Sequence, residues 1–370
     1  MKIGIFTYHR AYSYGAKLQA YALATYLRQL GHNAEDVDYG NIGGQPLRKI
    51  GTKSIKDFIV TTLCYICSTF SEPVRIRRFD DFLKLIPISN KRYLTKESLK
   101  GIEEEYDCFI TGSDQVWCPR YNEGDTTYLL DFIQNPDKKY SYAASFGVSE
   151  LEQPEAALYG KLLTDFNKIL IREEVGKNLL HKLNGKEAQV VLDPTFLLET
   201  EKWENLAHYP YKRNFPYILS FQILANDPAY AKFVEHLAQI TGYKVIVLSD
   251  SFRYKPVRGT LYAKAGPREF LGLIKNAEVV VTNSYHATVF SLIFQRPFYT
   301  LLNTFGLNSR MQELADKFGF KERLFDAYTP LPRKEEIKMD FNTIKPLITS
   351  GIHHSRNIII ETFGCTTKQF

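Results

Sequence analysis

Apolar positions along the chain alternate between two periods. KIGIFTY at Lys2–Tyr8 is a short, nearly continuous apolar run, as a strand buried on both faces requires, and GAKLQAYALATYLRQLGH at Gly15–His32 repeats apolar residues at helical spacing until Gly31. NAEDVDY at Asn33–Tyr39 predicts a second strand, so the chain opens as the strand-helix-strand unit of a doubly wound sheet. Helical patterns follow at Ser54–Thr69 and Pro73–Leu85. Strands are then expected in YDCFITGSDQVW, stopping at Gly112, and in KYSYAAS, KILIRE and AQVVLDP, with helices at Pro154–Phe166 and Glu174–Leu183 between them.

A second alternation begins at YILSFQIL, Tyr217–Leu224. It continues through the helical DPAYAKFVEHLAQITG, the strand KVIVLS, the helix GPREFLGLIKNAE with Gly and Pro at its start, the strand VVVTNS and the helix HATVFSLIFQR. Asp193–Phe215 mixes prolines, aromatics and charges without a sustained period and reads as the linker. The pattern predicts an N-terminal Rossmann-like domain over 1–200, a second over 201–340 and a C-terminal helical segment, 341–370, that crosses back to the first half.

Composition fits this picture and narrows the function. A chain of 370 residues exceeds the usual size of one core, and 44% apolar with 24% charged residues of mixed sign suits folded domains. The net charge of +6 is compatible with anionic ligands, an acidic membrane surface or nucleic acid, but no Lys/Arg run is long enough to favour nucleic acid. The nearest, RIRRF at Arg75–Phe79, is followed by Asp80 and Asp81 and reads as a solvated helix face. Met1 leads straight into the first strand without a signal-peptide pattern, and the longest apolar stretch, Phe58–Phe70, falls short of the roughly 20 residues that span a bilayer, so a cytoplasmic protein is expected. Five cysteines suit reduced thiols; Cys64 and Cys67 form a lone CxxC with no second pair at zinc spacing.

Ligands of open α/β sheets bind beyond the carboxyl ends of strands, which singles out four places. In the first, the loop from Thr7 to Tyr14, with Gly15 behind it, can bring a helix start to an anion or be an ordinary turn. In the second, TGSDQVW, Gly112 permits a sharp turn, Ser113, Asp114 and Gln115 supply polar groups, and Trp117 offers an apolar wall; a cap would also explain Asp114. In the third, Arg172 ends a strand, where a guanidinium suits a carboxylate or phosphate, with a salt bridge to Glu173 or Glu174 as the structural alternative. In the fourth, Thr282, Asn283 and Ser284 form the loop after VVV, and His286 falls in the first turn of the next helix, beside backbone donors suited to phosphate and placed to relay protons near neutral pH.

Taken together, YGAKLQAYAL, TGSDQVW, SYAASFG, IREE, VLDPTFLL, GPREFLGLIKNAEVVVTNSYHATVFSLIF and NSRMQEL, in this order, resemble the polysaccharide pyruvyl transferase family. The resemblance implies two Rossmann-like domains facing a cleft, a glycosyltransferase-B-like fold, with the acceptor on the N-terminal side and the donor on the C-terminal side. It implies transfer of the enolpyruvyl unit of phosphoenolpyruvate to paired sugar hydroxyls of a surface-polysaccharide precursor, giving a pyruvate ketal and phosphate, with no cofactor and no metal. Carried over residue by residue, His286 is the family's helix-start histidine, an acid or phosphate ligand, and Arg172 an anion clamp. Asp114 orients or deprotonates the acceptor, Asn283 and Ser284 line the donor pocket, Arg310 in NSRM is a further anion contact, and Ser113, Gln115, Tyr14 and Gly15 complete the substrate-binding set. Ala287 departs from the Ser-aromatic-His-Gly block common in the family. It either narrows the donor pocket or is tolerated with ordinary helical dihedrals.

The partners implied are phosphoenolpyruvate and a glycan or lipid-linked saccharide, without nucleic acid. Contact of Phe58–Phe70 with the inner membrane face is an alternative to packing that segment in the core. Two other functions fit the same architecture: a nucleotide-sugar-dependent glycosyltransferase, weakened by the lack of an evident Glu in the TNSYHA helix to bind ribose hydroxyls, and a non-catalytic glycan-binding protein.

Overall fold

The computed structural model describes residues 1–40, 71–212, 214–223, 228–249, 257–302 and 308–364. Two units emerge, one from Met1–Gly43, Leu83–Leu198 and Pro346–Phe370, the other from Gly44–Phe82 and Glu199–Lys345.

The first unit contains β1 (Lys2–Phe6), β2 (Asn33–Tyr39), β3 (Ile88–Tyr93), β4 (Cys108–Thr111), β5 (Lys139–Ala144), β6 (Lys168–Ile171) and β7 (Gln189–Val190). All pair in parallel, in the order β3-β2-β1-β4-β5-β6-β7. The central strands are covered on both faces, which is why their sequences are apolar runs rather than alternations. Ile3, Ile5, Phe109 and Ile110 are fully buried. The crossover helix Tyr14–Gln29 is buried along most of its length.

The second unit repeats the plan with β8 (Tyr217–Phe221), β9 (Lys244–Leu248), β10 (Thr260–Tyr262), β11 (Val279–Thr282), β12 (Phe298–Leu301) and β13 (Leu324–Phe325). Their order is β10-β9-β8-β11-β12-β13, again all parallel. Strand order therefore reverses between β1 and β4 in one sheet and between β8 and β11 in the other, and these are the two crevices where such sheets take ligands. Phe6 pairs with Thr111 and Phe221 with Thr282, so both members of each crevice end level.

Several expectations require correction. Edge strands β3, β10 and β13, together with β12, were not legible as strands. Asp193–Phe215 is not a featureless linker: a single 3-10 turn at Pro194–Phe196 and a helix at Thr200–Leu206 occupy much of it, and Trp203 is fully buried edge-on to Phe290. Residues 71–83 are helical, and 71–82 go with the second unit rather than with a contiguous 1–200 domain. There Arg78 is no solvated residue: it donates to the Lys264 carbonyl (2.8 Å) and the Tyr262 hydroxyl (3.0 Å) and pairs with Glu269 (3.3 Å), while Arg77 is exposed. The C-terminal helix Phe341–Phe363 packs on the first unit from Pro346 onward, where Ser355 Oγ accepts from Leu192 N–H and Arg356 donates to the Leu197 carbonyl. The Ser54–Thr69 helix, the Phe58–Phe70 stretch and the Cys64/Cys67 pair lie outside the described residues.

Candidate functional site

In the second unit the crevice is built by three short polar side chains. Thr282 Oγ1 donates to the Phe221 carbonyl (2.6 Å) and accepts from Ser284 N–H (3.0 Å), turning the chain sharply at the end of β11. Asn283 clasps the end of β8, its Oδ1 accepting from Ile223 N–H (2.7 Å) and its Nδ2 donating to the Ile223 carbonyl (3.0 Å). Ser284 caps the helix Tyr285–Ile293 and accepts from Ala287 N–H at 3.4 Å. Capping settles one of the orphan donors of a helix start. His286 is the second residue of that helix, half-buried and edge-on to Tyr285 with ring centroids 5.4 Å apart. Ala287 lies inside the helix, fully buried, so its methyl group occupies packed space.

Asn283, Ser284 and His286 thus meet at one strand end. Arg310 is the second residue of the helix Ser309–Phe318, which follows β12. Below the same strand ends, Tyr230 OH donates to the Val281 carbonyl (2.6 Å) and lies 3.1 Å from Ser220 Oγ. Those two side chains line a small cavity with Gln222, Val247, Leu248, Ser249 and Val257.

In the first unit the crevice is tied together by Gln19, which the sequence reading overlooked. From the helix after β1 it donates to Thr7 Oγ1 (2.8 Å), while its Oε1 accepts from Ser113 N–H (3.2 Å). Thr7 Oγ1 in turn donates to the Ser113 carbonyl at 3.1 Å, so the ends of β1 and β4 are cross-braced. Tyr14 and Gly15 are buried in the first helical turn, and Ser13 makes no side-chain cap. Gly112 has φ 109°, and a Cβ there would stand 2.4 Å from the Tyr142 carbonyl oxygen, so glycine is required for the turn after β4. Asp114 follows at φ 75°, in the left-handed region, with its Oδ1 accepting from Gln115 N–H (2.9 Å). Trp117 is not a site wall: it is fully buried, donates to the Tyr128 carbonyl (3.0 Å) and packs on Phe146 and Phe166.

Arg172, one residue beyond β6, is buried among three carboxylates: Asp193 at 3.2 Å, Glu173 at 3.5 Å and Asp114 at 3.6 Å. The salt-bridge alternative is therefore what the side chain adopts, with Asp193 added. Asp193 accepts from Ser113 Oγ (3.3 Å) and from both the N–H (3.0 Å) and the hydroxyl (2.7 Å) of Thr195. Its signal in the sequence was its place just after β7, obscured because LDP was read as the start of the linker.

A second ionic group occupies the ends of β1 and β2. His9, 1% exposed, has its Nε2 3.5 Å from an Asp38 carboxylate oxygen, and its Nδ1 lies 3.1 Å from the Thr7 carbonyl. Arg10 holds both oxygens of Asp38. Burial pushes the His9 imidazole below its ordinary value, more than Asp38 lifts it. Burial would raise Asp38, but the bonds from Arg10 and His9 outweigh it and hold the carboxyl well below the usual carboxylate range. Nearby Asp36 is fully buried, and loss of solvation raises its carboxyl far above that range. Among the described residues no group of three His, Cys, Asp or Glu side chains is placed to hold a metal ion. Nor, among them, is any helix long and apolar enough to cross a membrane.

Two all-parallel α/β units of matching strand order, each with polar residues at its reversal point, define a glycosyltransferase-B-like architecture. The chain belongs to the polysaccharide pyruvyl transferase family, which it matches over residues 14–304, a span that holds Asp114, Arg172 and His286 but not Arg310. Its fold is similar to that of the UDP-GlcNAc 2-epimerase of Neisseria meningitidis bound to UDP-GlcNAc, with TM-score 0.54 and 13% identity over 98% of this chain and 99% of that one. The UDP-GlcNAc 2-epimerase of Methanocaldococcus jannaschii gives TM-score 0.52 and 13% identity over 98% and 100%. A comparison with curated protein sequences gave no match.

Proposed function

We propose that the protein transfers the enolpyruvyl group of phosphoenolpyruvate to two hydroxyls of one sugar in a surface-polysaccharide precursor, forming a pyruvate ketal. The family match over 14–304 supports this reading, because its span covers the polar ends of β4 and β11. The donor sits at the β11 end of the second unit. There the start of the helix Tyr285–Ile293 faces its phosphate, Ser284 shapes the turn, and Arg310 supplies cationic charge. Asn283 contributes by fixing the loop after β8.

His286 protonates the methylene carbon, which becomes the methyl group. Carbon 2 then carries oxocarbenium character and is attacked by the first hydroxyl oxygen. The bond from carbon 2 to the phosphate oxygen breaks, phosphate departs with the bonding pair, and the second hydroxyl closes the ring as its proton returns to His286. On the first unit, Asp114, with Ser113 and Gln115 beside it and Tyr14 and Gly15 at the neighbouring helix start, binds the acceptor and receives the hydroxyl proton. The acceptor is carried on a glycan or lipid-linked saccharide, handled at the cytoplasmic side of the membrane, with no cofactor taking part.

Thermal unfolding tests the donor half of the reading. Phosphoenolpyruvate raises the melting temperature, whereas a UDP-sugar does not, and His286→Ala keeps the fold but loses turnover. Stabilisation by the UDP-sugar alone would favour the nucleotide-sugar alternative, which rests on fold similarity only.

A further inference from the structure

We propose that Arg172 is a positioning residue for Asp114, and through it for the acceptor hydroxyl, and not a contact to the donor phosphate; the inference rests on the pyruvyl-transfer reading. The guanidinium side chain is 2% exposed and has a carboxylate oxygen within 3.6 Å of each of its three nitrogens, from Asp193, Glu173 and Asp114. Two of these carboxylates are fixed from behind. Asp193, fully buried, is held by Ser113 and by both polar groups of Thr195, and Glu173 accepts from Ser145 Oγ at 2.5 Å.

Asp114 alone of the three extends outward, its side chain 18% exposed. Its left-handed backbone, two residues after a glycine that no other residue can replace, aims it from the end of β4. A strained dihedral persists where the surroundings over-determine it, and here they do so at the outer member of a buried charge network. Charge argues the same way. A phosphate approaching Arg172 would meet a cation already outnumbered three to one by carboxylates, whereas a sugar hydroxyl approaching Asp114 brings a donor to an acceptor. In the reaction the hydroxyl proton passes to the Asp114 carboxylate as the hydroxyl oxygen bonds carbon 2, and is released to solvent after turnover.

The test compares wild type, Arg172→Lys, Arg172→Gln, Asp114→Asn and the Arg172→Gln/Asp114→Asn double variant. Arg172→Gln is expected to lose at least tenfold in kcat/KM for the acceptor while the KM for phosphoenolpyruvate stays within twofold. Arg172→Lys, which keeps the charge and spares the fold, recovers part of the loss, and the double variant is no worse than Asp114→Asn because Arg172 acts through Asp114. A tenfold rise in donor KM with the acceptor KM unchanged would overturn the inference. So would additive losses in the double variant.

Donor binding is measured separately, as thermal stabilisation by phosphoenolpyruvate. Equal shifts in wild type and Arg172→Lys support the assignment, and loss in the variant contradicts it. If wild type is not stabilised, the donor reading itself has failed, and the positioning inference is judged by saturation-transfer NMR with methyl glucoside. Signal retained in Arg172→Lys but lost in Arg172→Gln and Asp114→Asn upholds it; no signal in wild type, or equal signal throughout, overturns it.

Discussion

Asn283→Ala separates scaffolding from ligand contact at the second-unit crevice. Both ends of the Asn283 amide are engaged by one residue, Ile223, at 2.7 and 3.0 Å, so the side chain pins the segment leaving β8 to the end of β11. Each such bond contributes about 0.5–1.5 kcal/mol net. The site is half-buried, so water replaces the lost partner in part, and the substitution should cost about 1–2 kcal/mol, or roughly 5–30-fold in the local opening equilibrium. Amide hydrogen exchange at Ile223 reads this directly, without assuming that two units unfold as one. Protection of the Ile223 amide is expected to fall by that factor, with amides in β1 and β4 unchanged. Asn283→Asp keeps the acceptor for the Ile223 N–H but sets an oxygen against the Ile223 carbonyl, and should recover no more than half of the loss. Unchanged Ile223 protection in Asn283→Ala would refute the clasp.

Two further substitutions probe the first unit. Gly112→Ala forces a side chain into φ 109° with its Cβ 2.4 Å from the Tyr142 carbonyl oxygen, and should destabilise by about 3 kcal/mol or more in urea unfolding; a wild-type midpoint would contradict the geometry. His9 makes stability pH-dependent: its folded value lies below the 6.5 of the free imidazole, so the unfolded chain takes up a proton first and stability falls as pH drops below 6.5. Asp38, held low, acts in a separate window, stabilising at neutral pH and losing that contribution below about pH 4. His9→Gln should therefore shrink the loss of melting temperature between pH 7.5 and 5.5, and an unchanged loss would show that His9 does not carry it.

Legibility in the sequence followed burial. β1 and β11 were readable because central parallel strands are nearly continuous apolar runs, and the helices after β1 and β11 because their periods are unbroken. β3, written ISNKRY and exposed at three of its six positions, carries no such signal, since an edge strand is defined by its neighbour's hydrogen bonds. Arg78 and the residues around it were misplaced because periodicity is local and says nothing about which sheet a helix covers. Polar residues following an apolar run were found at Ser113, Asp114, Asn283 and Ser284. Their partners Gln19 and Asp193 were missed: one sits inside a helix and the other at the start of a stretch read as linker, and only the folded chain brings them to β4. Arg172 shows the same limit from the other side, since its residue type suggests an anion ligand and its three carboxylate neighbours are spread from Asp114 to Asp193.

The central claim, ketal formation from phosphoenolpyruvate, is tested most directly by incubating the purified full chain with phosphoenolpyruvate and a panel of lipid-linked and free saccharides, following phosphate release and product mass together. The account predicts stoichiometric phosphate and a saccharide heavier by one pyruvate less one water, stable to phosphatase and lost on mild acid hydrolysis, with neither signal from His286→Ala. Transfer of a sugar from a nucleotide donor, with phosphoenolpyruvate left intact across the whole panel, would contradict it.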